Sequence, residues 1–326
     1  MILLADIGGT NARFRFETPD GDIVADIKLP TKGHDNFADA YKAAYDQSQI
    51  AVPVKAAFIA WAGPVTNGAA RLTNHKGWAL DETQLRALTG AHHVQLVNDF
   101  VAQMLAVPAL TPAQIETVLT GNDTPDAPFV VIGPGTGLGV GIMSRRDGTG
   151  HVLPGEGGHV TLTARTSIEV ELIAIAKQAM AANSDGAHFS AERFVSGGEL
   201  WRLHQAVAQM NGVTITEHLS GEDIANKAVD GDPIAAQTIN HFHDFLGTIA
   251  SDLAVSAGAR SGMWLTGDLM KAWRAAGLFD QERLITRFTD KGRFSDYCSD
   301  CGIYQVMADS PAFIGLRALY SSTSSA

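Results

Sequence analysis

Asp6-Ile7-Gly8-Gly9-Thr10-Asn11 near the start of the chain and Gly133-Pro134-Gly135-Thr136-Gly137-Leu138-Gly139 in its middle are two versions of one turn. Each joins two apolar, strand-like runs. The first follows Met1-Ile2-Leu3-Leu4-Ala5 and leads into the alternating Arg13-Phe14-Arg15-Phe16; the second follows Phe129-Val130-Val131-Ile132 and leads into Val140-Gly141-Ile142-Met143. A hairpin tip of glycine and threonine leaves backbone N–H groups bare, lets a ligand approach where a Cβ would block it, and adds a hydroxyl donor. Two such tips facing each other form a clamp for a polyphosphate. The expectation is a nucleotide held in a cleft between two related halves, with chemistry at its terminal phosphate.

The bulk properties agree with this. The chain has 326 residues, 45 % hydrophobic and 18 % charged, which is ordinary for a soluble globular protein with room for two cores. A formal net charge of −11 and the lack of any Lys/Arg block argue against a nucleic-acid surface, so the expected partner is a small molecule. The apolar start is short, lacks a basic flank and contains Asp6, and no apolar run is long enough to span a bilayer. A cytosolic location without a membrane partner is expected. Cys298 and Cys301 are spaced C-x-x-C, but no second Cys/His pair and no flanking βαβ pattern accompany them, and they read as incidental thiols.

The pattern along the chain is mixed α/β. Strands are expected at 2–6, 13–17, 56–62 and 95–97, with a helix at 36–47 and another from 99 to 106. A Pro/Thr/Gly/Asp-rich stretch at 108–128, with one short helix inside it, marks the change of domain. The second half repeats the order: paired strands around the second turn, a strand at 160–163, and a helix with Ile168, Leu172, Ile175 and Ala179 on one face. Thr166 and Glu169 match a capping box at the start of that helix. Helices at 222–229 and 234–258 and a strand at 263–266 follow. The run 304–307 reads as a strand that returns with the last helix to the first domain, giving a small domain of 1–108 with 305–326 and a large one of 109–304. The tail 321–326 reads as disordered.

Other nucleotide motifs are absent. There is no G-x-x-x-x-G-K-[ST], and the glycine run at 133–141 never satisfies G-x-G-x-x-G, since Leu138 stands where the last glycine is required and the run leads into a strand rather than a helix. Asp6, two residues ahead of Gly8, is suited to orient a hydrated Mg²⁺ on the phosphates through water, because Mg²⁺ keeps several waters and takes few carboxylates.

Two further clusters point to an acceptor. Leu96-Val97-Asn98-Asp99 places Asn and Asp at the end of an apolar strand just before a helix, where ligands commonly meet α/β sheets. There Asp99 can take the proton of an attacking hydroxyl while Asn98 bonds a neighbouring hydroxyl; alternatively, Asp99 merely caps its helix. Leu153-Pro154-Gly155-Glu156-Gly157-Gly158-His159 sets an acid and an imidazole among glycines, suited either to gripping vicinal hydroxyls or to an ordinary solvated loop.

Together these segments resemble the bacterial glucokinase family, of the sugar kinase, actin and Hsp70 type of ATPase fold. The resemblance is carried by Ala5-Asp6-Ile7-Gly8-Gly9-Thr10-Asn11-Ala12-Arg13, Thr73-Asn74-His75, Val97-Asn98-Asp99-Phe100, Gly135-Thr136-Gly137-Leu138-Gly139, the 153–159 loop, Ser190-Ala191-Glu192-Arg193, Ser196-Gly197 and Asp290-Lys291-Gly292-Arg293-Phe294, in family order. It implies two related α/β domains with the active site in the cleft between them, and ATP- and Mg²⁺-dependent transfer to the 6-hydroxyl of glucose. Asp99 would be the catalytic base, and Asn74, Asn98, Glu156, His159 and Glu192 would hold the sugar. Ala5, Asp6, Ile7, Gly8, Gly9, Thr10 and Asn11, with Gly135, Thr136, Gly137 and Gly267, would hold the nucleotide. A homodimer is a further possibility that the family suggests.

Three places depart from the family pattern. Trp264-Leu265-Thr266-Gly267-Asp268 replaces a Gly-Gly turn beside the adenosine, so that Asp268 either repels a nucleotide or bonds a ribose hydroxyl. Asp309-Ser310-Pro311-Ala312 lacks the usual Asn-Pro-Gly, and Gly198-Glu199 stands where Pro-Gly is usual. Two other readings stay open: a kinase for another hexose or amino sugar, and a sugar-binding regulatory protein with weak catalysis. A repressor is disfavoured because no helix-turn-helix precedes Asp6. An actin-like filament protein would have no need of the 153–159 loop.

Overall fold

The structure, a computed structural model, describes residues 1–72, 77–122, 124–146, 149–153, 155–183 and 186–324. Asn74, within the 73–75 segment, lies outside them, as does Pro154. The chain divides into two compact units, Met1–Thr111 with Ala308–Ala326 and Pro112–Met307.

Unit 1 contains β1 (Ile2–Ile7), β2 (Asn11–Glu17), β3 (Ile23–Pro30), α1 (Phe37–Ser48), β4 (Ala56–Trp61), β5 (Val65–Thr66), β6 (Ala69–Arg71), β7 (Ala79–Asp81), α2 (Glu82–Thr89), β8 (His93–Asn98) and α3 (Asp99–Ala106). Its main sheet has the order β3-β2-β1-β4-β8, and β5-β6-β7 form a small separate sheet. The alternation of β1 explains its central place. Leu3, Ala5 and Ile7 join a core with Phe14, Phe37 and Trp61 on one face of the sheet. Ile2 and Leu4 join a second core with Phe58, Val97 and Leu316 on the other. A strand buried on both faces must be apolar at successive positions, as β4 is throughout and β1 is from Ile2 to Ala5.

Unit 2 contains β9 (Ile115–Leu119), β10 (Phe129–Pro134), β11 (Leu138–Arg146), β12 (Thr149–Leu153), α4 (Ser167–Ala182), α5 (Leu200–Met210), α6 (Gly221–Val229), α7 (Pro233–Ala257), β13 (Met263–Leu265), α8 (Asp268–Ala275), α9 (Gln281–Thr289), α10 (Ser295–Cys301) and β14 (Ile303–Val306). Its sheet order is β12-β11-β10-β13-β14-β9. The β12-β11-β10-β13-β14 part repeats the unit 1 sheet position for position: two antiparallel neighbours, then two parallel ones. The repeated turn therefore joins equivalent strands, β1 to β2 and β10 to β11.

Several expectations are corrected. The 304–307 strand does not return to the first domain; it pairs with β13 and β9 in unit 2. Inside 108–128 the main element is β9, preceded by short 3-10 turns at Val107–Ala109 and Pro112–Gln114. The 160–163 run makes one isolated bridge, Thr161 to Ser190, instead of a strand. The tail to Ser324 belongs to α11 (Pro311–Ser324). In α4 the capping box of Thr166 and Glu169 forms, but the buried positions are Glu169, Leu172, Ala176 and Met180, while Ile168 is exposed. Glu169 is kept inside by Arg287, which donates to its carboxylate.

The packing of α11 on α3 gives a direct test. A Cβ on Gly315 would lie 1.8 Å from the Ala102 carbonyl oxygen and 3.0 Å from the Ala106 nitrogen. Gly315→Ala should destabilise the protein by about 1–3 kcal/mol through overpacking, although alanine is the better helix former. Urea unfolding should show a lower midpoint at unchanged slope, and a raised midpoint would show that the two helices do not need this contact.

Candidate active site

In unit 1 the row Asp6–Ala60–Val97 runs straight across the three parallel strands. At about 4.8 Å per strand, Asp6 stands about 10 Å from Val97, and Asp99 follows two residues later at the start of α3. By strand alternation Asp6 points to the face of Ile2 and Leu4, the face that α3 and α11 cover. The two carboxylates thus occupy the same end of the same sheet.

The first turn closes by Gly8 N–H donating to the Asn11 carbonyl at 2.9 Å. It is braced from the 3-10 turn Thr31–Gly33 that follows β3: fully buried Thr31 donates its hydroxyl to the Gly8 carbonyl at 2.9 Å and its N–H to the Thr10 carbonyl at 2.9 Å. A Cβ on Gly8 would come within 3.3 Å of the Asn11 carbonyl oxygen, whereas one on Gly9 would meet nothing within 4 Å. The tip is open at Gly9, with Thr10 and Asn11 exposed beside it.

Asn98, not Asp99, is the N-cap of α3. Its Oδ1 accepts from the N–H groups of Phe100 at 2.9 Å and Val101 at 3.3 Å, and its Nδ2 donates to the Gly63 carbonyl at 2.9 Å. This division leaves Asp99 partly buried at the helix start, where its Oδ1 accepts from Phe100 N–H at 2.8 Å. Burial pushes the Asp99 carboxyl up to about 6, against the opposing pull of the Phe100 and Asp99 N–H groups and the Asn98 side chain. A carboxylate so tuned can accept a proton near neutral pH.

In unit 2 the second turn is enclosed by backbone. Gly135 N–H donates to the Gly137 carbonyl at 2.8 Å, Gly197 N–H to the Gly135 carbonyl at 2.7 Å and Gly198 N–H to the Thr136 carbonyl at 3.2 Å. A Cβ on Gly198 would lie 2.4 Å from the Thr136 carbonyl oxygen. Gly267, with φ +99°, passes close to the Pro134 carbonyl and ends β13 at the start of α8. Leu138 then links the turn to the other candidates. Its N–H donates to Glu192 Oε2 at 2.8 Å, and a Cβ on Gly158 would lie 1.9 Å from its carbonyl oxygen. Gly158 belongs to a 3-10 turn, Gly157–His159, that carries the exposed side chains of Glu156 and His159 at its edge, 4.0 Å apart. Asp268, almost fully exposed, pairs with Lys271 at 2.8 Å.

The N–H groups are thus less bare than expected: those of Gly8, Gly135 and Leu138 already have acceptors. Thr31, which braces the first turn, and Gly63, which anchors Asn98, escape sequence reasoning. Thr31 lies twenty-one positions from the turn it serves. Gly63 offered a signal in Trp61-Ala62-Gly63-Pro64 at a strand end, and its φ of +130° bears this out.

No cluster of three or more His, Cys, Asp or Glu poised for a metal occurs among the described residues. A single carboxylate at the strand end that leads into the first turn, as Asp6 is, fits a Mg²⁺ held chiefly by phosphate oxygens and water. Cys298 and Cys301 are both buried on α10. Burial raises both thiols, Cys301 to about 12, and Cys301 Sγ donates to the Tyr297 carbonyl at 3.2 Å, so both stay protonated and unreactive.

A family model described as Glucokinase matches residues 3–323. The chain belongs to the glucokinase family. It is 37 % identical over 317 residues to a glucokinase of Neisseria meningitidis serogroup C, covering 97 % of this chain and 93 % of that one. The crystal structure of a glucokinase from an Antarctic psychrotroph superposes with a TM-score of 0.85 at 30 % identity, covering 98 % of each chain. A glucokinase of Balamuthia mandrillaris, solved in complex with glucose, shares the fold with a TM-score of 0.81 at 20 % identity, over 98 % of this chain and 93 % of that one. The chain is accordingly an enzyme, with the fold of the sugar kinases.

The shared duties of Asn98 and Asp99 can be separated by experiment. Asn98→Ala should cost about 1 kcal/mol through loss of the cap. It should also move the Asp99 midpoint above about 6, because one of the bonds that hold it down is lost. The carboxyl ¹³C shift followed against pH reads this midpoint, and a downward move would contradict the assigned bonding.

Proposed function

We propose that this enzyme transfers the terminal phosphate of ATP to the 6-hydroxyl of glucose in the cytoplasm, as an entry step to sugar breakdown. What supports this reading is the full-length family match, and its chemistry rests on Asp99. The hydroxyl proton passes to the Asp99 carboxylate as the hydroxyl oxygen bonds the terminal phosphorus and the bond to the departing ADP oxygen breaks. Phosphoryl transfer needs positioning and charge stabilisation more than covalent help from the protein.

Within unit 1, Asn98 holds Asp99 at the helix start and offers its remaining amide capacity to a sugar hydroxyl, while residues 5–11 receive phosphate oxygens at the open Gly9 tip. Within unit 2, Glu156, His159 and Glu192 take the other sugar hydroxyls, and Gly135, Thr136, Gly137 and Gly267 line the nucleotide. The proposal also assigns Asn74 to the sugar from its sequence alone. Mg²⁺, oriented by Asp6 through water, would neutralise charge on the phosphates. Asp268 lies next to the nucleotide-lining Gly267, and its pairing with Lys271 reduces the repulsion a lone carboxylate would exert there.

Release of ADP should be measured against glucose, mannose, fructose, galactose, glucosamine and N-acetylglucosamine. Glucose should be turned over best, and Asp99→Asn should lose at least about 10²-fold in kcat with glucose affinity nearly intact. Turnover of another sugar ahead of glucose would replace the substrate, and glucose binding with no turnover at all would leave a sugar-binding regulator.

The pH profile follows from the same residue. The base works only when ionised, so kcat/KM for glucose should be level above Asp99's midpoint of about 6 and fall about tenfold per unit below it. A flat profile down to pH 5 would remove Asp99 from the role of base.

A further inference from the structure

The hydrogen bond between Glu192 and the second glycine turn carries a consequence for the order of binding. Leu138 N–H is the first backbone donor after Gly137 and points to Glu192 Oε2 at 2.8 Å. Glu192 is anchored on the 3-10 turn Ala191–Arg193, and its carbonyl accepts the Ser196 hydroxyl at 2.9 Å, so its backbone is fixed from the same side as Gly197 and Gly198. Its carboxylate rests so close over the turn that a Cβ on Gly137 would lie 2.5 Å from Oε2. A carboxylate held on a glycine turn by a backbone N–H has the charge and the hydrogen-bond pattern of a phosphate oxygen in that place.

We infer that Glu192 is an internal anion that occupies the second phosphate turn until a sugar draws its carboxylate away. This inference rests on the reading of Glu192 as a sugar ligand and of residues 135–137 as part of the nucleotide site. One N–H proton cannot serve two anions at full strength, and the Glu192 charge also repels a phosphate brought to Gly137. When sugar hydroxyls donate to the Glu192 carboxylate, they compete with Leu138 N–H for it, disperse its charge and release the donor to the nucleotide. Sugar therefore tightens nucleotide binding, and nucleotide must tighten sugar binding by the same factor. The arrangement also disfavours the wasteful transfer of phosphate to water, because the turn is filled whenever the acceptor is missing.

The test is calorimetric titration of the full chain with Mg²⁺ and the non-hydrolysable analogue AMPPNP, with and without saturating glucose. Glu192→Gln keeps the shape and an acceptor oxygen but removes the charge; Glu192→Ala removes both, and melting curves establish that each variant folds. Wild type should bind the analogue about tenfold more tightly with glucose than without, a typical coupling. Both variants should bind it about tenfold more tightly than wild type when no sugar is present, and adding glucose should change that little. ATP hydrolysis without sugar should rise in the same variants. Equal nucleotide affinity in wild type and both variants without glucose would overturn the gate, and this comparison needs no sugar. Failure of wild type to bind or phosphorylate glucose would instead overturn the proposed function, so the two failures are told apart.

Discussion

The close approach of backbone to backbone around Leu138 is the constraint on which unit 2 depends. The Leu138 N–H reaches Glu192, and its carbonyl leaves no room for a Cβ on Gly158. Gly197 and Gly198 donate to the turn from another side, and Gly267 crosses beside Pro134. A side chain at Gly158 or Gly198 would force backbone rather than a flexible tip to move, and the densely packed core beneath resists that. The glycines therefore act as one set: each makes room for the next segment, and the segments together present Glu156, His159, Glu192 and the turn as a single surface of unit 2.

Unit 1 meets the same demand differently. Its turn joins the equivalent strands of an equivalent sheet, yet only Gly8 is crowded, and the bracing comes from Thr31, whose hydroxyl and N–H both bond the turn. One turn is thus held by Thr31, just past the edge strand, with room for a Cβ at Gly9, whereas the other is held by the backbone of Gly197 and Gly198 and is covered by Glu192. The two sheets share strand order and orientation, and the surroundings of the turn differ.

The legible parts of the sequence were those decided locally. A glycine-threonine tip between two apolar runs specifies a hairpin wherever it stands, and the Thr166–Glu169 box closes its cap between residues three apart. The illegible parts were decided at a distance. Strand β3 buries only Ile27 and exposes Ile23 and Val24, so its alternation carried no signal. The side of α4 that packs includes an acid, Glu169, whose burial depends on Arg287 more than a hundred residues away, and apolar periodicity pointed instead to Ile168, which is exposed. β14 has the composition of a strand for either sheet, and only its pairing with β13 and β9 decides the matter.

Asp99 shows how a site residue can be named from sequence and still be undecided in role. An Asp before a helix is an ordinary cap, and nothing in Val97-Asn98-Asp99-Phe100 tells which of the two polar side chains does the capping. The structure gives the cap to Asn98, whose Oδ1 takes two helix N–H groups while its Nδ2 is tied to Gly63. Relieved of that duty, Asp99 has its carboxyl governed chiefly by burial, with the neighbouring N–H groups offsetting only part of the rise. Were Asp99 the cap instead, more helix N–H groups would stabilise its charged form and lower its midpoint toward the ordinary carboxylate range, making a poorer base. Burial is therefore what lets an aspartate at this helix N-terminus hold a proton near pH 6, with the Asn98 side chain and the neighbouring N–H groups pulling partly against it.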